Sequence, residues 1–169
     1  PITLRPHNTV QDAEDLMAVA RTDLGLSKTD RRFPQKGACM DIYSRCVNAR
    51  QKLPEVLDTA FPWCRDWEAE LKKLFEAYVD RKEAAASLDY DDLLLYWAQT
   101  ASDPDLAADI GARFRHILVD EYQDTNRLQS SILKAMKPDG RGLTVVGDDA
   151  QSIYSFRAAT IRNILDFPA

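Results

Sequence analysis

Ile117-Leu-Val-Asp-Glu-Tyr-Gln-Asp-Thr-Asn126, followed further along by Val145-Val-Gly-Asp-Asp-Ala-Gln-Ser-Ile-Tyr-Ser-Phe-Arg157, decides how this chain folds. Each segment is an apolar, β-branched run that stops abruptly at carboxylates, the pattern of a buried strand that ends in acidic side chains. Residues 125–136 between them read as a helix, with strands over 114–119 and 143–146. Strand, helix and strand at such close spacing form a βαβ unit, so the strands should be parallel and the crossover right-handed. In open α/β sheets the ligand crevice lies outside the carboxyl ends of the strands. Asp120 and Glu121 therefore stand where a metal-and-base pair belongs, and residues 151–157 form the neighbouring loop.

Everything before these segments reads as helical. Residues 11–24 place Leu16, Val19, Ala20 and Leu24 at helical spacing, with carboxylates in the first turn and Gly25 as the stop. Residues 35–52 form a second helix with Met40, Tyr43 and Val47 on one face, and Pro54 begins a short third. The strongest helical signal is 62–86, where Trp67, Leu71, Leu74, Phe75 and Tyr78 make a stripe that favours core packing over base stacking. Glu68 and Lys72, and Glu70 and Lys73, can pair on its outer surface. Ser87 or Asp89 caps the next helix, and Asp103-Pro104 opens another. Asp124 is the expected N-cap of the helix over 125–136. The shift from helical to α/β composition places a boundary near residue 113.

A chain of 169 residues that is 45% hydrophobic and 29% charged is globular. It has neither a run long enough to cross a bilayer nor a secretory signal. The cysteines, Cys39, Cys46 and Cys64, lack metal-ligand spacing and read as reduced thiols of a cytoplasmic protein. A net charge of −5 argues against nucleic acid, but its distribution does not. Lys28, Arg31, Arg32, Lys36, Arg45, Arg50 and Lys52 face only Asp30 and Asp41 over that stretch, a footprint suited to phosphates or simply a solvated helix face.

The two segments together resemble motifs II and III of superfamily 1 DNA helicases of the UvrD, Rep and PcrA type. Leu88-Asp-Tyr-Asp-Asp-Leu-Leu-Leu95 is similar to that family's Asp-Phe-x-Asp-Leu-Leu element, and Asp12-Ala-Glu-Asp-Leu-Met17 is a looser match. The resemblance implies an α/β fold: a mostly helical fragment with a small parallel βαβ portion of a RecA-like P-loop NTPase domain. Residues 1–27 would be an N-terminal helical piece of the first motor domain, 28–112 a helical insertion with connecting helices, and 113–169 the RecA-like part.

The resemblance also implies roles. Asp120 would hold Mg2+, usually through water, and Glu121 would be the catalytic base. Gln151 would contact the terminal phosphate of ATP, and Arg157 would link the DNA side to the motif II carboxylates. Tyr154 and Phe156 would stack on single-stranded bases, with Arg31 and Arg32 on DNA phosphates. Asp148 and Asp149 would fix the loop, Asp148 close to the metal. Phe156 replaces the commoner tryptophan, and Ala158 stands where glycine is usual.

The expected activity is ATP-driven translocation on single-stranded DNA, 3′ to 5′, with duplex unwinding in repair or replication. No Gly-x-x-x-x-Gly-Lys-Ser/Thr loop occurs in the sequence. The chain therefore reads as a fragment, inactive alone and working with the remaining helicase domains of the same protein. The alternative is a nucleic-acid-binding or repair-partner module that does not hydrolyse ATP. A two-metal nuclease built on Asp120, Glu121, Asp148 and Asp149 leaves residues 151–157 unexplained.

Overall fold

The computed structural model describes residues 8–9, 12–29 and 31–148. They form seven helices, two short 3-10 segments and two small parallel sheets, and the chain divides into two compact units.

The first unit comprises Pro1–Cys46 and Gln51–Asp92. Helix α1 (Ala13–Asp23) starts where the Asp12 carboxylate accepts from the backbone N–H of Asp15 at 3.0 Å, and stops at Gly25, whose φ is +71°. Helix α2 (Lys36–Ala49) begins in this unit, and α3 (Leu53–Ala60) follows with Pro54 in its first turn. The long helix expected over 62–86 divides in two. Pro62–Trp67 is a 3-10 segment, and α4 (Glu68–Ala84) starts only after Trp67, whose φ of −103° and ψ of 16° break the α ladder. A tertiary contact accounts for the break: the Trp67 ring packs edge-on against Phe33, with centroids 5.3 Å apart. Glu68 pairs with Arg65 within this turn. The stripe Leu71, Leu74 and Tyr78 is fully buried, alongside Met17, Phe33, Ile42 and Leu57. Each such side chain contributes about 1.5–3 kcal/mol. On α2 the face is Cys39, Ile42 and Tyr43, with Met40 and Val47 half-buried. A strand pair that periodicity could not announce, β1 (Asn8–Thr9) and β2 (Ser87–Leu88), closes the unit in parallel register.

Where α4 hands over to the next helix, α5 (Tyr90–Ala101), the unit buries a charge cluster. The Lys82 ammonium, 3% exposed, lies 2.7 Å from Asp89 Oδ2 and 2.6 Å from Asp92 Oδ2. The Tyr78 hydroxyl donates to the same Asp89 oxygen at 2.7 Å. Lys82 Nζ also sits 4.6 Å from the Tyr78 ring centroid and 5.2 Å from that of Tyr43. Asp89 caps α5 as expected: it accepts from the Asp92 N–H at 2.8 Å, and Asp92 returns the bond to the Asp89 N–H at 3.0 Å. Burial opposes charge on Lys82, but the hydrogen bonds with Asp89 and Asp92 outweigh it and hold its pKa above the ordinary lysine value. Burial likewise opposes the Asp89 carboxylate, and the bonds from Lys82 and Tyr78 overcome it and hold its pKa below the ordinary aspartate value. Burial pushes the Tyr43 phenol up to about 12.

The second unit comprises Val47–Arg50 and Leu93–Ala169. Asp103 caps α6 (Pro104–Ala112), accepting from the N–H groups of Asp105 and Leu106. Helix α6 lies close against α7 (Arg127–Met136): a Cβ on Gly111 would meet the Met136 carbonyl oxygen at 2.3 Å. Strands β3 (Ile117–Val119) and β4 (Leu143–Val145) pair in parallel, Ile117 with Leu143, Leu118 with Thr144 and Val119 with Val145. The expected βαβ unit is therefore present. The strands are not buried as the sequence suggested, however. Leu118 is 77% exposed, because no described residue covers that face of the sheet. All three cysteines are free, and burial pushes the Cys39 thiol up to about 12 and Cys46 to about 11. Among the described residues, no helix is long and apolar enough to cross a membrane.

The start of α7 corrects the expected cap. Asn126, not Asp124, holds it: its Oδ1 accepts from the Gln129 N–H at 2.8 Å while Gln129 Oε1 accepts from the Asn126 N–H at 3.0 Å. Its amide also donates to Asn48 Oδ1 at 3.0 Å. Asp124 is drawn instead into the 3-10 turn Tyr122–Asp124, with its Oδ1 buried and without a partner among the described residues.

Candidate functional site

The parallel ladder runs on past the strands: the Val146 N–H donates to the Val119 carbonyl at 2.8 Å, and the Tyr122 N–H donates to the Val146 carbonyl at 2.9 Å. That continuation brings the residues after both strands, Asp120-Glu121 and Gly147-Asp148, to one edge of the sheet. Asp120 and Glu121 are both exposed there. Asp120 Oδ1 accepts from the Glu121 N–H at 2.9 Å.

Glu121 has left-handed backbone, φ 50° and ψ 44°. A side chain with a Cβ pays about 1–2 kcal/mol for this conformation. The turn is enforced from both sides: the ladder holds Tyr122 to Val146, and the Asp124 N–H closes the 3-10 turn onto the Glu121 carbonyl at 2.9 Å. The left-handed residue ends the strand at Asp120 and starts the 3-10 turn Tyr122–Asp124.

Gln123, 1% exposed, is the residue that sequence reasoning left without a role. Its Nε2 donates to Glu121 Oε2 at 2.5 Å, and its Oε1 accepts from the Asp148 N–H at 3.0 Å. The chemistry forces this orientation of the amide, since a carboxylate only accepts and a backbone N–H only donates. A glutamine within an acidic stretch was the available signal, but nothing in its spacing indicates which groups it spans.

The donor set suits a hard cation held loosely. Mg2+ retains several waters and takes one or two carboxylates together with phosphate oxygens, and an exposed carboxylate at a sheet edge meets that need. No cluster of three or more His, Cys, Asp or Glu side chains among the described residues forms a closed metal cage.

The other expected site residues divide. Arg31 is exposed and hydrogen-bonded to Asp66 at 2.9 Å, with its guanidinium 5.7 Å from the Trp67 ring centroid; Arg32 is exposed beside it. Lys36 of the same basic stretch pairs with Asp15 at 2.5 Å. Asp149, Gln151, Tyr154, Phe156 and Arg157 lie outside the described residues.

Comparison with known proteins defines the class to which this sheet edge belongs. The profile of the UvrD/REP helicase N-terminal domain matches residues 2–169, and the chain belongs to that family. Among individual relatives, ATP-dependent DNA helicase UvrD1 of Mycobacterium tuberculosis is 35% identical over 97% of this chain and 22% of its own length. DNA helicase II of Haemophilus influenzae is 32% identical over 94% of this chain and 21% of its own. ATP-dependent DNA helicase UvrD2 of M. tuberculosis is 45% identical over 55% of the chain. The chain spans about a fifth of the length of the first two of these relatives.

Proposed function

We propose that the full-length protein is an ATP-dependent DNA helicase that moves 3′ to 5′ along single-stranded DNA and unwinds duplex, in repair or replication. The observation that carries this reading is the exposed Asp120–Glu121 pair at the C-terminal edge of a parallel sheet, with the second strand's Asp148 tied to it. Residues 113–169 then belong to a RecA-like motor domain, with 1–27 as its N-terminal piece and 28–112 as its helical insertion.

Mg2+, when bound with ATP, neutralises the charge that develops on the transferring phosphoryl group. Asp120 would hold it. Glu121 orients the attacking water and accepts its proton. Gln151 donates its amide to the terminal phosphate without adding charge. Tyr154 and Phe156 stack on bases, Arg157 links them to the carboxylates, and Arg31 and Arg32 meet the DNA backbone. The activity requires the full-length protein, because this chain contributes no phosphate loop of the Gly-Lys-Ser/Thr kind.

The test is ATP hydrolysis by the purified full-length protein with and without single-stranded DNA; absence of stimulation sinks the reading. Tyr154→Ala and Phe156→Ala should each weaken single-stranded DNA binding by about 1–3 kcal/mol, with little dependence on base or salt. Basal hydrolysis should survive. Normal DNA affinity combined with a lower melting temperature would make these side chains core residues instead.

A further inference from the structure

We propose that Gln123 is a positioning residue for hydrolysis: its buried amide holds the Glu121 carboxylate at one end and the Asp148 backbone at the other, so the base is placed by the second strand's terminus. The proposal rests on the reading of Glu121 as the base. Three observations carry it. The side chain is buried, yet both of its polar ends are satisfied, by partners of opposite hydrogen-bonding sense. The partners come from the residues that follow two different strands, β3 and β4. The group held is an otherwise exposed carboxylate on a left-handed backbone.

Few residue types can do this. Glutamate accepts from Asp148 but cannot donate to Glu121. Methionine fills similar volume and offers neither bond. Asparagine is a methylene shorter. A base that loses its holding group samples non-productive rotamers, and misplacement by about 1 Å costs on the order of 10²-fold in rate. The link also has a direction. Asp148 leads into the stretch that carries Gln151, Tyr154, Phe156 and Arg157, so a displacement of its backbone reaches Glu121 through a single amide.

The experiment uses the full-length protein and measures DNA-stimulated kcat, ATP affinity and melting temperature for Gln123→Met, Gln123→Glu, Glu121→Gln and the two double variants. Both single Gln123 variants should lose about 10²-fold in kcat with ATP affinity within about twofold of wild type. Neither should lower the residual rate of Glu121→Gln further, because a residue that acts through the base has nothing left to position. Wild-type kcat in Gln123→Glu shows that only the Asp148 bond matters and overturns the proposal. Losses that multiply with Glu121→Gln overturn it too, as does a kcat deficit that merely follows the unfolded fraction in Gln123→Met. Normal turnover by Glu121→Gln removes the base assignment itself, a result distinct from any of these.

Discussion

The Glu121→Gln variant of the full-length protein should bind ATP and Mg2+ as the wild type does, yet hydrolyse ATP about 10²–10⁴-fold more slowly, the usual worth of a general base. The amide has nearly the volume of the carboxylate, and its oxygen can still accept from Gln123 Nε2, so the local hydrogen bond survives. What disappears is the capacity to take the water's proton. Asp120 cannot substitute. Its Oδ1 is engaged by the Glu121 N–H, whereas Gln123 Nε2 holds the Glu121 carboxylate. Single-turnover hydrolysis together with equilibrium binding of a nucleotide analogue checks the outcome. Turnover near wild type would remove Glu121 from the mechanism.

Lys82→Met should destabilise the first unit by about 3–5 kcal/mol, because it strands the buried Asp89 carboxylate and the half-buried Asp92 carboxylate without their cation. Methionine keeps the length of the side chain, so the loss is electrostatic rather than a cavity. Asp89 retains the Tyr78 hydroxyl and the Asp92 N–H, which soften the effect without cancelling it. Amide exchange in α4 and the first turn of α5 should accelerate by two to three orders of magnitude, since about 1.4 kcal/mol corresponds to a factor of ten. Replacing Asp89 and Asp92 by asparagine in the same variant should recover much of the loss. Wild-type exchange rates in Lys82→Met would show that the cluster adds nothing. The pH dependence follows from the shifts. Asp89 is depressed in the folded state, so its contribution is present above the ordinary aspartate pKa and disappears as pH falls through its folded value. Lys82 is raised, so its contribution is complete below the ordinary lysine pKa and disappears as pH rises through its folded value. The cluster is therefore at full strength across the neutral range and fails at both extremes.

Much of this was legible in the chain. The two strands, expected over 114–119 and 143–146 and formed at 117–119 and 143–145, their parallel pairing and the acidic residues at their ends follow from the apolar runs and the short helical spacing between them. Trp67 shows one limit: an apolar stripe fits a 3-10 segment followed by a helix as well as one continuous helix, and contact with Phe33 settles which forms. Asp124 and Asn126 show another. Both are good caps, and the deciding feature was Gln129, three positions after Asn126, which completes the reciprocal box. Lys82 was visible in hindsight, because it continues the buried series Leu71, Leu74, Tyr78 by one more helical turn; a lysine there signals a partner, though not its identity. Gln123 had no such signal. Its two bonds connect groups brought together only when β3 and β4 align, and no local pattern encodes that meeting.

The left-handed backbone at Glu121 has a consequence for anyone improving the protein by selection. A screen that rewards heat resistance alone would favour glycine or asparagine there, since both relax a conformation that glutamate tolerates poorly. Such variants would look like successes by every measure of folding, yet with Glu121 as the proposed base they would lose hydrolysis. The same position thus sets durability against work, and a library built around this segment needs an activity filter before a thermal one.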